Sequence, residues 1–111
     1  ISMGIQAFTK TGNSVTFLAA STAPTAVQAA STTLGGNQYR IINAGTALVF
    51  MGVGVTASDA SNNAVTITSS QAAIPILPGT DEILTFTPNA YFTGVAASGT
   101  AVIYITPGDG A

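Results

Sequence analysis

Short apolar runs rich in Val, Ile, Thr, Phe and Tyr recur along the chain, and turn residues separate them at intervals of about ten residues. These side chains pack well on a pleated surface, and good helix formers other than Ala are scarce. The pattern predicts strands at residues 14–19, 38–43, 46–53, 64–69, 82–87, 90–96 and 101–106. Residues 5–9 are a weaker candidate for a first strand, and residues 26–31 could form either a strand or a short helix.

This rhythm of strands and turns is typical of antiparallel sandwiches and barrels. We predict an all-β fold, an antiparallel jelly-roll-like sandwich with an extended N-terminal arm, and an eight-stranded barrel is the alternative. The length predicts a single domain, in which residues 1–36 hold the arm and first strands and residues 37–111 form the main β-sandwich. Residues 19–36 are rich in Ala, Thr and Ser, contain Pro24 and carry no charge, which favours an extended arm that orders on a partner.

Several predicted strands are apolar on both faces, although a sandwich core needs only one face. Leu48 and Phe50 point to one side of their strand and Met51 to the other, and residues 101–105 alternate in the same manner. The second face is covered either by the arm or a loop of the same chain, or by another protein. The candidate interface residues are apolar or aromatic side chains on these strands: Phe50, Met51, Tyr91, Phe92 and Tyr104.

Charge is scarce in this chain. It has two basic and four acidic residues in 111, whereas ordinary domains carry charge at roughly a quarter of positions. The surface is therefore built from Thr, Ser, Asn, Gly and Ala, which suits lying flat against another protein. Lys10 and Arg40 cannot form the basic patch that nucleic acid or an anionic membrane requires, and no apolar run reaches the ~18 residues of a membrane helix. We expect protein partners, and neither nucleic acid nor a membrane.

The residue types present offer little chemistry. The absence of Cys and His removes disulfides, the usual Ser-His and Cys-His nucleophiles and most zinc ligands. Asp81 and Glu82 are neighbours on a predicted strand, so they point to opposite faces and cannot act as a carboxylate pair. Residues 59–63 predict a turn held by Asx side chains rather than a calcium loop. We expect no enzymatic activity, no catalytic residue, no cofactor and no metal site.

Two segments carry a resemblance to a known family. Residues 39–54 (YRIINAGTALVFMGVG) place an asparagine-glycine turn before an apolar strand. Residues 73–110 (AIPILPGTDEILTFTPNAYFTGVAASGTAVIYITPGDG) contain a Pro-x-x-Pro-Gly turn, an aromatic strand, a small-residue turn and a final TPGDG. In this order the features resemble the small decoration, or cement, proteins of short-tailed bacteriophage capsids. The resemblance implies a jelly-roll-like fold on the outer capsid surface of a virion, and no catalytic residues. It also implies homodimers, with trimers as the alternative, that bridge subunits of the major capsid protein.

The expected function is therefore structural. The chain would bind the outside of a phage capsid, bridge major capsid protein subunits and stabilise the shell. The alternative is a carbohydrate- or receptor-binding β-sandwich module of a virion, because jelly rolls host sugar sites often and a fold does not determine a function. That alternative requires exposed aromatic side chains with polar partners, and the first candidates are Tyr39, Tyr91 and Tyr104.

Overall fold

The computed structural model describes residues 8–32 and 36–109, so residues 5–7 of the weak first-strand candidate lie outside it. Strands dominate the described residues, and the ladders between these strands are antiparallel. The elements are β1 (Thr9–Lys10), β2 (Val15–Ala19), β3 (Val27–Gln28), β4 (Gln38–Asn43), β5 (Val49–Gly54), α1 (Ala57–Asn63), β6 (Ile74–Ile76), β7 (Asp81–Thr85), β8 (Tyr91–Ala96) and β9 (Ala101–Asp109). The predicted all-β class is confirmed.

The strands form two sheets in the order of a jelly roll. The first sheet runs β2–β9–β4–β7, and β1 pairs with the far end of β9 on the same edge as β2. The second sheet runs β3–β8–β5–β6. The chain crosses repeatedly between the sheets, so that β9 lies between β2 and β4 and β8 lies between β3 and β5. The eight strands β2 to β9 have the winding of a two-sheet jelly roll, as predicted, and β1 is added to one edge.

An aromatic cluster joins the two sheets inside the core. The ring of Tyr39 on β4 lies 4.9 Å from the ring of Phe92 on β8, edge-on, and Phe86 contacts both rings. The buried Tyr39 hydroxyl donates a hydrogen bond to the Thr87 carbonyl at 2.6 Å and accepts one from the Ala90 N–H at 3.1 Å. The cluster therefore packs the sheets together and also anchors the loop between β7 and β8.

The sequence predicts neither the helix α1 nor the irregular segment that follows it. The predicted strand at residues 64–69 is absent, and the predicted turn at residues 59–63 belongs to α1. The Thr56 hydroxyl caps the helix by accepting a hydrogen bond from the Asp59 N–H at 3.1 Å. Residues 64–69 have strand-forming side chains, but β6 and β8 pair with the two edges of β5, so neither edge of that strand is open to them.

The strand β9 continues beyond the point at which the sequence predicts its end. Pro107 and Gly108 lie inside the strand, because β1 pairs with one side of this extension and β4 with the other. The carbonyl oxygen of Pro107 accepts a hydrogen bond from the Thr11 N–H at 2.9 Å. In a strand the N and C=O of one residue point the same way, so the nitrogen of Pro107 faces the gap between β1 and β2. No ladder hydrogen bond is needed there, and the missing N–H of proline is tolerated.

Residues 20–32 lead the chain from the first sheet to the second. The Ala96 N–H donates a hydrogen bond to the Ala20 carbonyl at 2.8 Å, and the Thr32 N–H donates one to the Thr11 carbonyl at 2.7 Å. Within this segment, β3 pairs with β8. The described part of the predicted arm is thus built into the sandwich of its own chain, which differs from the expectation of an arm that orders on a partner.

Candidate docking surface

The outer face of the second sheet is covered by the chain itself. Phe50 and Val95 point away from the core on this face, and Phe50 is only 9% exposed. The helix α1 packs on β5 and β8, and a second apolar cluster forms around Phe50 with Ala23, Leu48, Val65, Ile67 and Ala73. The sequence left open whether the second face of β5 is covered by its own chain or by another protein. The structure shows that its own chain covers it.

Small residues allow this cover to lie close to the sheet. A Cβ added to Gly52 would lie 2.2 Å from the Ala60 carbonyl oxygen and 2.4 Å from the Ala64 nitrogen, so α1 rests directly on the backbone of β5. The Asn63 side-chain amide also donates a hydrogen bond to the Val53 carbonyl at 2.9 Å. The central strands β5 and β8 of the second sheet are thus covered on both faces.

The outer face of the first sheet has no such cover from the described residues. Leu18 is 51% exposed, Ile83 is 49% exposed and Tyr104 is 45% exposed. The other large exposed apolar side chains among the described residues, Val55 and Leu77, lie in loops. We call this surface the open face and define it by eight of the side chains that point outward from the first sheet: Thr16, Leu18, Arg40, Ile42, Asp81, Ile83, Val102 and Tyr104.

Strand register arranges the open face in rows. Tyr104 of β9 lies between Thr16 of β2 and Ile42 of β4, and Ile42 lies next to Asp81 of β7. Leu18 lies opposite a half-buried valine of β9. Side chains opposite one another in an antiparallel sheet share a face and contact each other. The result is a continuous surface of apolar and hydroxyl groups across four strands.

One ion pair crosses the open face. The Nε atom of Arg40 donates hydrogen bonds to both carboxylate oxygens of Asp81 at 3.0 Å, and its Nη2 atom donates to Oδ2. Hydrogen bonding to Arg40 lowers the pKa of Asp81, and the small burial of the carboxyl acts in the opposite direction. The two opposite charges offset each other, so this surface carries no net charge from the pair.

Asp81→Asn is expected to make the melting temperature depend less on pH in the acid range. Because Arg40 holds the folded-state pKa of Asp81 below its ordinary value of 3.8, the pair stabilises the fold fully above that value. The stabilisation is lost as pH falls through the folded-state pKa. Both side chains are nearly half exposed, so the effect is small and decreases with added salt. Melting temperatures from about pH 6 to about pH 2 measure it, and identical profiles for the variant and the wild type would contradict the pairing.

The structure separates the predicted interface residues from one another. Met51 and Phe92 have no exposed surface and belong to the main core, and Phe50 is buried beneath the cover of the second sheet. Tyr91 is half-buried on the outer side of the second sheet. Of the five, Tyr104 lies in the open face. Met51 and Phe92, which have no exposed surface, cannot contact a docked protein, and of the other three only Tyr104 belongs to the open face.

The three tyrosines proposed for a sugar site do not converge. Tyr39 is fully buried, and burial raises the pKa of its hydroxyl. Tyr91 lies on the outer side of the second sheet, while Tyr104 lies on the outer side of the first sheet. The two residues with exposed surface are therefore on opposite sides of the sandwich and do not form one aromatic platform.

Two of the large exposed apolar residues of the open face, Leu18 and Ile83, were not among the predicted interface residues. Leu18 follows the buried Phe17 on β2, and Ile83 precedes the half-buried Leu84 on β7. Apolar residues next to each other on a strand point to opposite faces, so one of each pair had to point away from the core. That alternation is the signal that could have identified them.

Comparisons with known proteins give no match. No protein-family model, no curated protein and no solved structure is significantly similar to this chain. In residues 8–32 and 36–109, no three acidic, His or Cys side chains come together as a metal site requires. No helix in the part of the chain that the structure describes is long and apolar enough to cross a membrane.

Proposed function

We propose that this chain is a structural virion protein that binds the outside of a phage capsid and bridges major capsid protein subunits. The observation that carries the proposal is the open face, an apolar and nearly neutral sheet surface that the described residues leave uncovered. Contiguous apolar surface of this kind marks an interaction site more often than chance exposure. The resemblance of residues 39–54 and 73–110 to capsid decoration proteins supplies the class of partner.

The open face suits a contact that is weak singly and repeated many times. Covering apolar surface contributes about 25 cal/mol per Å², so the half-exposed Leu18, Ile83 and Tyr104 supply a modest affinity for each copy. A protein that straddles two capsid subunits makes its second contact at a high effective concentration. Modest affinity at each site thus adds up to strong stabilisation of the shell.

The test is co-sedimentation of the purified protein with empty, expanded shells of the major capsid protein encoded by the same genome. We expect saturable binding whose affinity changes less than about threefold between about 0.05 M and about 1 M salt, because the contact involves few charges. Replacing both Leu18 and Tyr104 with Glu should weaken binding by at least about tenfold, since carboxylates would be desolvated in the contact. Circular dichroism should show an unchanged fold.

A matched control is available at the other exposed apolar positions. Replacing Val55 and Leu77 with Glu adds the same charge outside the open face, and binding should stay at the wild-type level. Three outcomes would each contradict the proposal: no binding to the shells, a steep dependence on salt, or an equal loss of binding in the control variant.

A further inference from the structure

We propose that β7 pairs edge to edge with β7 of a second copy of this chain, in an antiparallel register centred on Ile83. The strand β7 is the outermost strand of the first sheet, with β4 on one side and no described strand on the other. Its residues are exposed apart from the half-buried Leu84. An exposed strand edge is a template for pairing with another chain.

Hydrogen bonds to β4 reveal which backbone groups of β7 point outward. The Asn43 N–H donates to the Thr80 carbonyl at 3.1 Å, and the Phe86 N–H donates to the Asn37 carbonyl at 2.8 Å. Hydrogen-bonded and non-hydrogen-bonded pairs alternate along an antiparallel ladder. Residues 82 and 84 therefore bond to β4, and outward-pointing N–H and C=O groups belong to the alternate residues Asp81, Ile83 and Thr85.

A twofold axis at Ile83 satisfies all of these groups together. Ile83 of one copy faces Ile83 of the other, and Asp81 of each copy faces Thr85 of the other. Every such pair is of the type that exchanges two hydrogen bonds. A shift of the axis by one residue toward the start of β7 places Glu82 opposite Glu82, where like charges destabilise the pair. A shift by one residue the other way places Asp81 opposite residue 87, beyond the end of β7, so that fewer strand residues pair. Because the acidic residues lie at one end of β7 and neutral residues at the other, this register places each acidic residue opposite a neutral one and keeps like charges apart.

The other sheet edges are less suited to such pairing. The strand β6 spans three residues and contains Pro75, and β3 spans only two residues. The strand β2 is flanked by bridges from Gly12 to Ser31 and from Ala20 to Val95, which hold other segments against both of its ends. Among the described edges, β7 is the longest one without a proline or a flanking bridge.

The pairing would join two open faces into one surface. Ile83 from each copy would lie at the centre, and Arg40 lies directly beside it in the same row. A dimer built in this manner presents two open faces side by side, which suits contact with two neighbouring subunits. The inference rests on the proposed function only for this use. The pairing is measured on the isolated protein, so its failure and a failure to bind capsids are separate results.

Disulfide trapping tests the register, because the chain has no native cysteine. Across the proposed axis the two Cα atoms of residue 83 would lie about 5.5 Å apart, within the disulfide range of about 4.4–6.8 Å. Ile83→Cys should therefore form a covalent dimer on oxidation. Thr85→Cys is the matched control on the same strand and face, because its two Cα atoms would lie more than about 13 Å apart. It should stay monomeric on a non-reducing gel.

Charge reversal at Thr85 gives a second test that does not depend on oxidation. Thr85→Lys places a positive charge opposite Asp81 and should tighten the dimer, whereas Thr85→Asp should weaken it, each by about threefold to tenfold in sedimentation analysis. Position 85 is exposed, and circular dichroism checks that the fold is retained. A wild-type protein that stays monomeric up to about 1 mM would overturn the proposal. So would trapping of Thr85→Cys rather than Ile83→Cys, or shifts of both Thr85 variants in the same direction.

Discussion

Phe92→Ala is expected to lower the free energy of unfolding by about 3–5 kcal/mol. Phe92 has no exposed surface, and its ring lies 4.9 Å from Tyr39 and 5.8 Å from Phe86. Because Tyr39 belongs to the first sheet and Phe92 to the second, the truncation leaves a cavity in the contact that joins the sheets. Single domains are stable by about 5–15 kcal/mol, so the variant loses a large share of its stability. Urea denaturation followed by circular dichroism measures the loss.

Tyr91→Ala is the matched control for this prediction. Tyr91 precedes Phe92 on β8 but points to the outer side of the sheet and is half-buried. Truncation there should lower the unfolding free energy by about 1 kcal/mol. If Phe92→Ala destabilises the protein no more than Tyr91→Ala does, the assignment of Phe92 to the contact between the sheets is wrong.

Asn43→Ala is expected to lower the unfolding free energy by about 2–4 kcal/mol. The fully buried Asn43 amide donates hydrogen bonds to the Ala47 carbonyl at 3.0 Å and the Ile76 carbonyl at 3.1 Å, and its oxygen accepts one from the Gly45 N–H at 3.0 Å. These bonds tie the end of β4 to the turn before β5 and to β6. Removing the amide takes these donors away from two carbonyl groups in a buried site and leaves the Gly45 N–H without its acceptor, and urea denaturation measures the consequence.

Two further variants separate hydrogen bonding from general disruption. Asn62→Ala, at an exposed position of α1, should change stability by no more than about 0.5 kcal/mol. Asn43→Asp keeps the shape but turns an oxygen toward the two carbonyls, and burial should raise the pKa of the new carboxyl above its unfolded-state value. Its stability should then fall as pH rises above that unfolded value, opposite in sign to the effect of Asp81. A pH-independent stability difference from the wild type would contradict this account.

The strand β4 and the helix α1 mark how far the sequence predicts the fold. The strand β4 has the same bounds as the strand predicted at residues 38–43, because alternation between turn residues is a local signal. The helix was not predicted, since Asp59, Asn62 and Asn63 favour turns as readily as helix ends. It depends on docking against Gly52, a contact that local sequence does not reveal.

The candidate site was predicted only in part for a similar reason. Tyr104 was identified because its strand is apolar on both faces, and the same pattern also selected Met51 and Phe92, which are core residues. Strand alternation separates the two faces of a strand but does not state which of them faces the core. Leu18 and Ile83 become visible as surface residues once β2, β9, β4 and β7 are placed side by side.

The sequence by itself determined the all-β class, the scarcity of charge and the two-faced apolar strands, because these follow from composition and a period-two pattern. Only the tertiary structure decided which apolar face is covered. Phe50 and Leu18 both point away from the main core, yet Phe50 lies beneath its own chain and Leu18 is half exposed. The difference arises because cover comes from segments distant along the chain: residues 57–73 pack over the second sheet, and no described segment crosses the first.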